Sequence, residues 1–212
     1  MAQAEHGGGG AAAAGAPAPG HRHGGLADSM AALTMVVGRG RMAGIVGDLT
    51  GVGPGDRVVD VGCGPGTAVR AAARRGADAT GVDPLPFALR LARMHRPKGS
   101  AGPVTYLVGT AEALPLADDS MTLGWAISSA HHWSDVPAAL AELGRVLGPG
   151  GRFAIVERAA SPGARGHAAH GFTDARADEV AALAAGQGFV DVTCTRAGYR
   201  SHRMVVVAGH RP

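Results

Sequence analysis

Between Arg57 and Ala208 short apolar runs alternate with stretches of helical spacing, and this alternation constrains the fold more than any other feature. Arg57–Val61 predicts a strand, followed by a glycine loop and a helix over Thr67–Arg75 that Gly76 closes. Ala79–Val82 predicts a second strand and Phe87–His95 a second helix, stopped before Pro97. Third and fourth strands are expected at Val104–Val108 and Leu123–Ser128. Val136–Leu147 is a strong helix pattern, with Ser134 and Asp135 as caps and Val136, Leu140, Leu143 and Leu147 along one face. Gly148-Pro149-Gly150-Gly151 should end it, before a fifth strand at Phe153–Val156. A helix over Asp174–Ala185 and an antiparallel pair, Val190–Cys194 with Met204–Ala208, complete the pattern. Short apolar strands alternating with helices imply an α/β fold, a mainly parallel sheet with helices on both faces.

Ahead of this run the composition changes. The chain has 212 residues and 35 glycines, and residues 1–25 are a block of Gly, Ala, Pro and His. Such a block buries too little apolar surface to offset ordering entropy, which predicts a disordered tail. Over residues 26–50, Leu33, Val36, Val37, Ile45, Val46 and Leu49 recur at roughly helical spacing, interrupted by Gly38, Gly40 and Gly44. One broken helix or two short ones are expected there. The glycines follow no triplet period, which excludes collagen, and 17% charged residues exclude a coiled coil or a charged disordered chain.

Twenty Lys and Arg against 17 Asp and Glu give a net charge of +3, and Lys98 is the single lysine. The basic residues are scattered, which argues against nucleic acid as the main partner. Cys63 and Cys194 form no CxxC or disulfide framework, as suits a reducing cytoplasm. The N-terminus lacks the basic start and leucine-rich core of a signal peptide, and Ser29–Gly38 is too short to span a bilayer. A soluble, cytoplasmic protein is expected.

The segment Val58-Val59-Asp60-Val61-Gly62-Cys63-Gly64-Pro65-Gly66-Thr67 carries the most chemistry. A dinucleotide fingerprint, G-x-G-x-x-G, needs a third glycine at position 67, where threonine stands. The spacing is instead G-x-G-x-G, with Asp60 two residues before it. A carboxylate there repels a pyrophosphate and attracts an ammonium group. Asp83 follows the second strand, 21 residues past Gly62, where an acid accepts the hydroxyls of a ribose. The implied ligand has a ribose, a cationic amino group and no phosphate, a description that fits S-adenosylmethionine. Ligands in such sheets bind outside the carboxyl ends of the strands, so Gly62–Gly66, Asp83, Thr110–Glu112 and Ser128–Trp133 should surround one crevice.

These residues resemble the class I S-adenosylmethionine-dependent methyltransferases, in their methyltransferase type 11 branch. The likeness covers roughly Asp56 to Glu157 and rests on VVDVGCGPGT (58–67), TGVDPLP (80–86), GTAEALPL (109–116) and SSAHHWSDVPAALAELGRVLGPGG (128–151). It implies a Rossmann-like, mostly parallel seven-stranded sheet with an antiparallel last strand. It also implies one domain over 26–212: an N-terminal helical cap (26–50), a cofactor-binding core (56–157) and a C-terminal helix and strand pair (172–212). Asp60 and the backbone of Gly62, Cys63 and Gly64, with Gly66 closing the loop, would hold the methionine end. Asp83 would take the ribose hydroxyls, with Pro84 and Leu85 beside the adenine. Thr110, Ala111 and Glu112 would follow the adenine edge, and Ser128 would complete the set. Two positions depart from the family pattern: relatives usually carry an acid where Thr110 stands, and often one where Thr122 stands. Cys63 reads as a small buried residue rather than a nucleophile.

His131-His132-Trp133 follow the fourth strand, at the mouth where an acceptor would enter. On extended backbone adjacent side chains point to opposite sides, so at most one histidine should face the pocket, as a lining residue or a general base. His21 with His23, and His167 with His170, have metal-like spacings but lack a partner acid or cysteine, and no metal site is expected. The function read from the chain is methyl transfer from S-adenosylmethionine to a small-molecule acceptor, on oxygen, nitrogen or activated carbon, by a monomer or homodimer. The alternatives are a protein that binds the cofactor without catalysis and, disfavoured by Thr67 and Asp60, a NAD-dependent oxidoreductase.

Overall fold

A computed structural model describes residues 42–95, 102–166, 170–199 and 202–212. The expected disordered tail and the part of the helical cap before residue 42 lie outside the described residues. The chain runs through α1 (residues 42–50), β1 (Arg57–Val61), α2 (Thr67–Arg74), β2 (Asp78–Asp83), α3 (Pro86–Met94), β3 (Val104–Val108) and β4 (Met121–Ile127). A 3-10 turn at Ala130–His132 follows, then α4 (Val136–Val146), β5 (Leu147–Arg158), α5 (Asp174–Gly186), β6 (Val190–Tyr199) and β7 (His202–His210).

The strands form one seven-stranded sheet in the order β3-β2-β1-β4-β5-β7-β6. β1 pairs in parallel with β2 and β4, β2 with β3, and β4 with β5. Only β7 reverses, lying antiparallel to β5 and β6. Alternation along β1 builds both faces. Val59 and Val61 join one apolar cluster with α4 and α5, while Val58 joins another with α1, α2 and Leu89 of α3. The class I methyltransferase architecture expected above is the one observed.

Helices α4 and α5 begin at side-chain caps. The Asp135 carboxylate accepts from the Ala138 N–H at 2.9 Å, and the Thr173 hydroxyl from the Arg176 N–H at 3.2 Å. Alanine-rich α2 buries Ala68, Val69, Ala71, Ala72 and Ala73, small side chains that let the helix lie close to the sheet. Two sequence expectations need correction. Ser134 does not cap α4; its hydroxyl bonds Glu112 instead. Gly148–Gly151 is not a loop before the fifth strand, for β5 already begins at Leu147, which pairs with Met121. The glycines form an irregularity within β5, where the register shifts between the Met121–Leu147 and Leu123–Arg152 pairs and Gly150 turns left-handed (φ 73°); Gly150 donates to the Arg211 carbonyl (3.0 Å) and Arg211 to the Gly151 carbonyl (2.7 Å). No helix among the described residues is long and apolar enough to cross a membrane.

At the edge where β1, β4 and β5 begin, Arg152 grips both oxygens of Asp56 at 2.9 Å, and Thr122 donates to Asp56 at 2.9 Å. Burial alone would raise the Asp56 carboxyl, but the hydrogen bonds from Arg152, Gly53 and Thr122 hold it below its ordinary value. Asp56→Asn is therefore expected to lower the unfolding free energy by about 1.5–3 kcal/mol at neutral pH. Because the folded-state pKa is the lower one, this contribution is complete above the unfolded aspartate range and fades as pH falls through the folded value. Urea unfolding of both proteins should show the gap narrowing in acid; a gap that stays constant would refute this role.

Candidate active site

The parallel strands β1 to β5 end on one side of the sheet, and the strand order reverses between β1 and β4. Gly62 and Cys63 both donate to the Val82 carbonyl, at 2.8 and 3.0 Å, tying the loop after β1 to the end of β2. Gly64 donates to Asp83 at 2.8 Å. Gly62 (φ 73°) and Gly66 (φ 74°) lie in the left-handed region. A Cβ on Gly62 would come within 2.5 Å of the Ser129 Cβ, and one on Gly66 would overlap the Tyr106 ring. The turn therefore needs glycine twice, for conformation and for space.

Asp60 and Asp83 are buried at the ends of adjacent strands, 3% and 7% exposed. Asp83 does not wait idle for a ligand: its second oxygen accepts from the Leu85 N–H at 2.9 Å, just before α3. The buried hydroxyl of Thr67, at the start of α2, has no hydrogen-bond partner. Cys63 is buried against β2, where a Cβ on Gly81 would meet its sulfur at 2.7 Å, so only its backbone belongs to the loop surface. Pro84 and Leu85 are exposed beyond β2, and Thr110 is exposed beyond β3. Ala111 is buried in the cluster with α4 and α5.

Glu112, expected along the adenine edge, has its carboxylate engaged within the protein. Its carboxylate accepts from the Ser134 N–H (2.8 Å), the Ser134 hydroxyl (2.9 Å) and the Asp135 N–H (3.3 Å). Burial opposes its ionisation, but these bonds and its own N–H hold the pKa below the ordinary value. The carboxylate thus fastens the start of α4. Thr122 lies at the beginning of β4, on Asp56 and Arg57, at the opposite end of the sheet from the crevice.

The histidines differ most from expectation. Ala130–His132 is a 3-10 turn, so the extended-backbone argument fails and both rings fall on one side. Their centroids are 4.0 Å apart, and His170, from the segment after β5, lies 5.4 Å from His131 and 5.7 Å from His132. The His131 Nδ1 bonds Glu157 Oε2 at 2.9 Å, and its backbone N–H donates to Glu157 Oε1 at 3.2 Å. Glu157, at the end of β5, is 1% exposed. With Nδ1 as the donor, the buried Nε2 keeps its lone pair, and no protein group bonds it. Ser128, at φ 51°, leads into this turn, and Ser129 donates to the Val61 carbonyl at 2.6 Å. Glu157 was not foreseen, nor was the meeting of His170 with His131 and His132. A carboxylate closing the apolar run Phe153–Val156 at the crevice edge is the signal that could have found Glu157; the spacing of His170 from His167 marked that residue but not its meeting with His131 and His132.

An open parallel sheet with buried acids after β1 and β2 around a glycine turn defines a nucleoside-cofactor domain of the Rossmann-like kind. Residues 59–155 match the family described as Methyltransferase domain. An uncharacterized methyltransferase of Mycobacterium tuberculosis is 40% identical over 100 residues, 47% of this chain and 39% of that protein. The malonyl-[acyl-carrier protein] O-methyltransferase of Serratia marcescens is 37% identical over 133 residues, 61% of this chain and 47% of that protein. Among solved structures, the YcgJ protein of Bacillus subtilis superposes with a TM-score of 0.64 at 19% identity, covering 80% of this chain and 97% of that one. Residues 59–155, a little under half of the chain, are thus similar to the methyltransferase domain family, as a class I S-adenosylmethionine-dependent methyltransferase would be. The chain spans about half the length, or less, of these two sequence relatives.

The turn yields a direct test. Gly62→Ala should cost about 1–3 kcal/mol through left-handed strain alone, before Ser129 is displaced. Chemical unfolding of the variant measures this. Wild-type stability would mean that the turn tolerates a side chain and is not held as described.

Proposed function

We propose that this chain transfers a methyl group from S-adenosylmethionine to the oxygen of a small-molecule acceptor, with His131 as general base. The observation that carries the reading is the Glu157–His131 pair. One ring nitrogen is held by a buried carboxylate, and the other is buried with no protein partner, at the mouth of the crevice. An activated-carbon acceptor needs no such base, and a base oriented in this way suits a hydroxyl or phenol. The O-methyltransferase relative from Serratia supports oxygen as the acceptor atom.

The residues present fit the cofactor. Asp60 would face its ammonium group and Asp83 its ribose, while the unpartnered Thr67 hydroxyl offers a further polar contact at the loop. When bound, S-adenosylmethionine supplies an electrophilic methyl group whose bond to sulfur breaks with the electron pair kept by sulfur. The protein's own work is to orient both partners, exclude water and accept one proton. Nε2 of His131 takes the proton of the acceptor hydroxyl, freeing the oxygen lone pair. Glu157 keeps Nδ1 protonated and stabilises the imidazolium that forms, which makes it a positioning residue.

Transfer of a labelled methyl group to phenolic and hydroxylated small molecules tests the activity. His131→Ala should lower kcat by about 10²- to 10⁴-fold with cofactor affinity unchanged. Glu157→Gln should lower kcat by a smaller factor, again without changing affinity for S-adenosylhomocysteine. Asp83→Ala should do the converse and weaken S-adenosylhomocysteine binding by about 1–3 kcal/mol in calorimetry. Equal kcat in the His131 variant would remove the base. Tight cofactor binding without transfer to any acceptor would favour a non-catalytic binder.

A further inference from the structure

Three histidines that lie apart in the sequence meet at the crevice mouth. One nitrogen from each of His131, His132 and His170 can be chosen so that all three lie within 4.8 Å of one another. Two come from the turn after β4 and one from the segment after β5, so the folded sheet assembles a set that no local spacing encodes. The third is held by its backbone: Arg158 donates to the His170 carbonyl from Nε (3.2 Å) and Nη2 (3.0 Å). Phe172, two residues on, donates to the Arg158 carbonyl at 3.0 Å and accepts from Ala160 at 2.8 Å.

We propose that His131, His132 and His170 form a binding site for a divalent transition-metal ion of the zinc type. Three observations converge. The donors are all imidazoles, which suit zinc, nickel, copper or cobalt and not magnesium or calcium. The His131 Nε2 is buried with no protein partner. Its Nδ1 is bonded to a buried carboxylate at 2.9 Å, the outer-shell arrangement that fixes the tautomer of a metal-bound histidine and raises its basicity. Tetrahedral coordination at about 2.1 Å requires the nitrogens to close to roughly 3.4 Å. His132 and His170 are exposed and can make that adjustment by rotating their side chains. Three protein ligands leave a fourth position open to water or to an acceptor hydroxyl.

This site goes beyond the methyl-transfer reading, and the two compete at one atom: an ion on Nε2 takes the lone pair that would accept a proton. Metal binding can be measured with no acceptor, so the two proposals fail separately. The test uses the full chain, stripped with chelator and titrated calorimetrically with zinc, with magnesium as the control ion. His6, His21 and His23 of the N-terminal tail contribute a background that every variant shares. The wild type should show a zinc site, of one ion per chain above that background, that magnesium does not fill. His170→Ala and His132→Ala change exposed residues, so the fold should survive, and each should weaken that site at least tenfold. Glu157→Gln should weaken it about 10- to 100-fold. His210→Ala, beside Asp191 at the far end of the sheet, should leave it unchanged. Cobalt(II) bound in the same site should give the intense visible absorption of a tetrahedral ion. Zinc binding that is identical in wild type and His170→Ala, or wild-type binding equal to that of a His131/His132/His170 triple alanine variant, would overturn the proposal.

Discussion

Two backbone N–H groups converge on one carbonyl, and the crevice depends on that contact. Gly62 and Cys63 share the Val82 oxygen, and Asp83 takes the N–H of Gly64. These bonds tie the ends of β1 and β2 into one unit at the middle of the sheet, where β1 lies between β2 and β4. Left-handed glycines allow the chain to fold back so tightly, because any side chain at Gly62 would strike Ser129. Asp83 then serves two ends. It accepts one hydrogen bond on each oxygen, from Gly64 and Leu85, and a carboxylate has about four lone-pair sites. The capacity that remains is what a ribose would use, so the group that would select the ligand also shapes the turn beside it.

Much of this was legible in the sequence because the signals are local. Each strand is a short apolar run, each of the helices α2 to α5 has a periodic face, and the glycine turn with its flanking acids needs only ten residues to be read. The features that escaped depend on partners distant in the chain. Gly148–Gly151 has a loop's composition yet lies inside β5 as an irregularity of the ladder, and Arg211, 60 residues after Gly151, bonds it there. Glu112 resembles a ligand-facing acid by position, but Ser134 and Asp135 claim it once α4 packs. Thr122 departs from the family pattern, and the fold puts it at the beginning of β4, where it bonds Asp56 away from the crevice.

The histidines show the same limit in a sharper form. Their grouping depends on a 3-10 turn that replaces extended backbone over three residues. Neighbouring side chains on such a turn are separated by about 120° rather than 180°, so His131 and His132 can share a side. A sequence reading must choose one backbone, and the wrong choice reverses which side chains can act together. His170 joins them because β5 runs beside β4 and Phe172, two residues on, bridges to Ala159 just past β5.

The edge of the sheet thereby divides into two chemistries on either side of the strand-order reversal. Acids stand after β1 and β2, where a cationic, ribose-bearing cofactor would be held. A histidine stands after β4 and its carboxylate at the end of β5, where the acceptor's proton would leave in the proposed reaction. Glu157 is the informative member of this arrangement. A carboxylate at 1% exposure is expensive to desolvate, and an apolar side chain of similar size would fill the same space more stably. Fold stability therefore does not explain its presence. A carboxylate that fixes one nitrogen of His131 and leaves the other available does explain it, whether that nitrogen meets a proton or a metal ion.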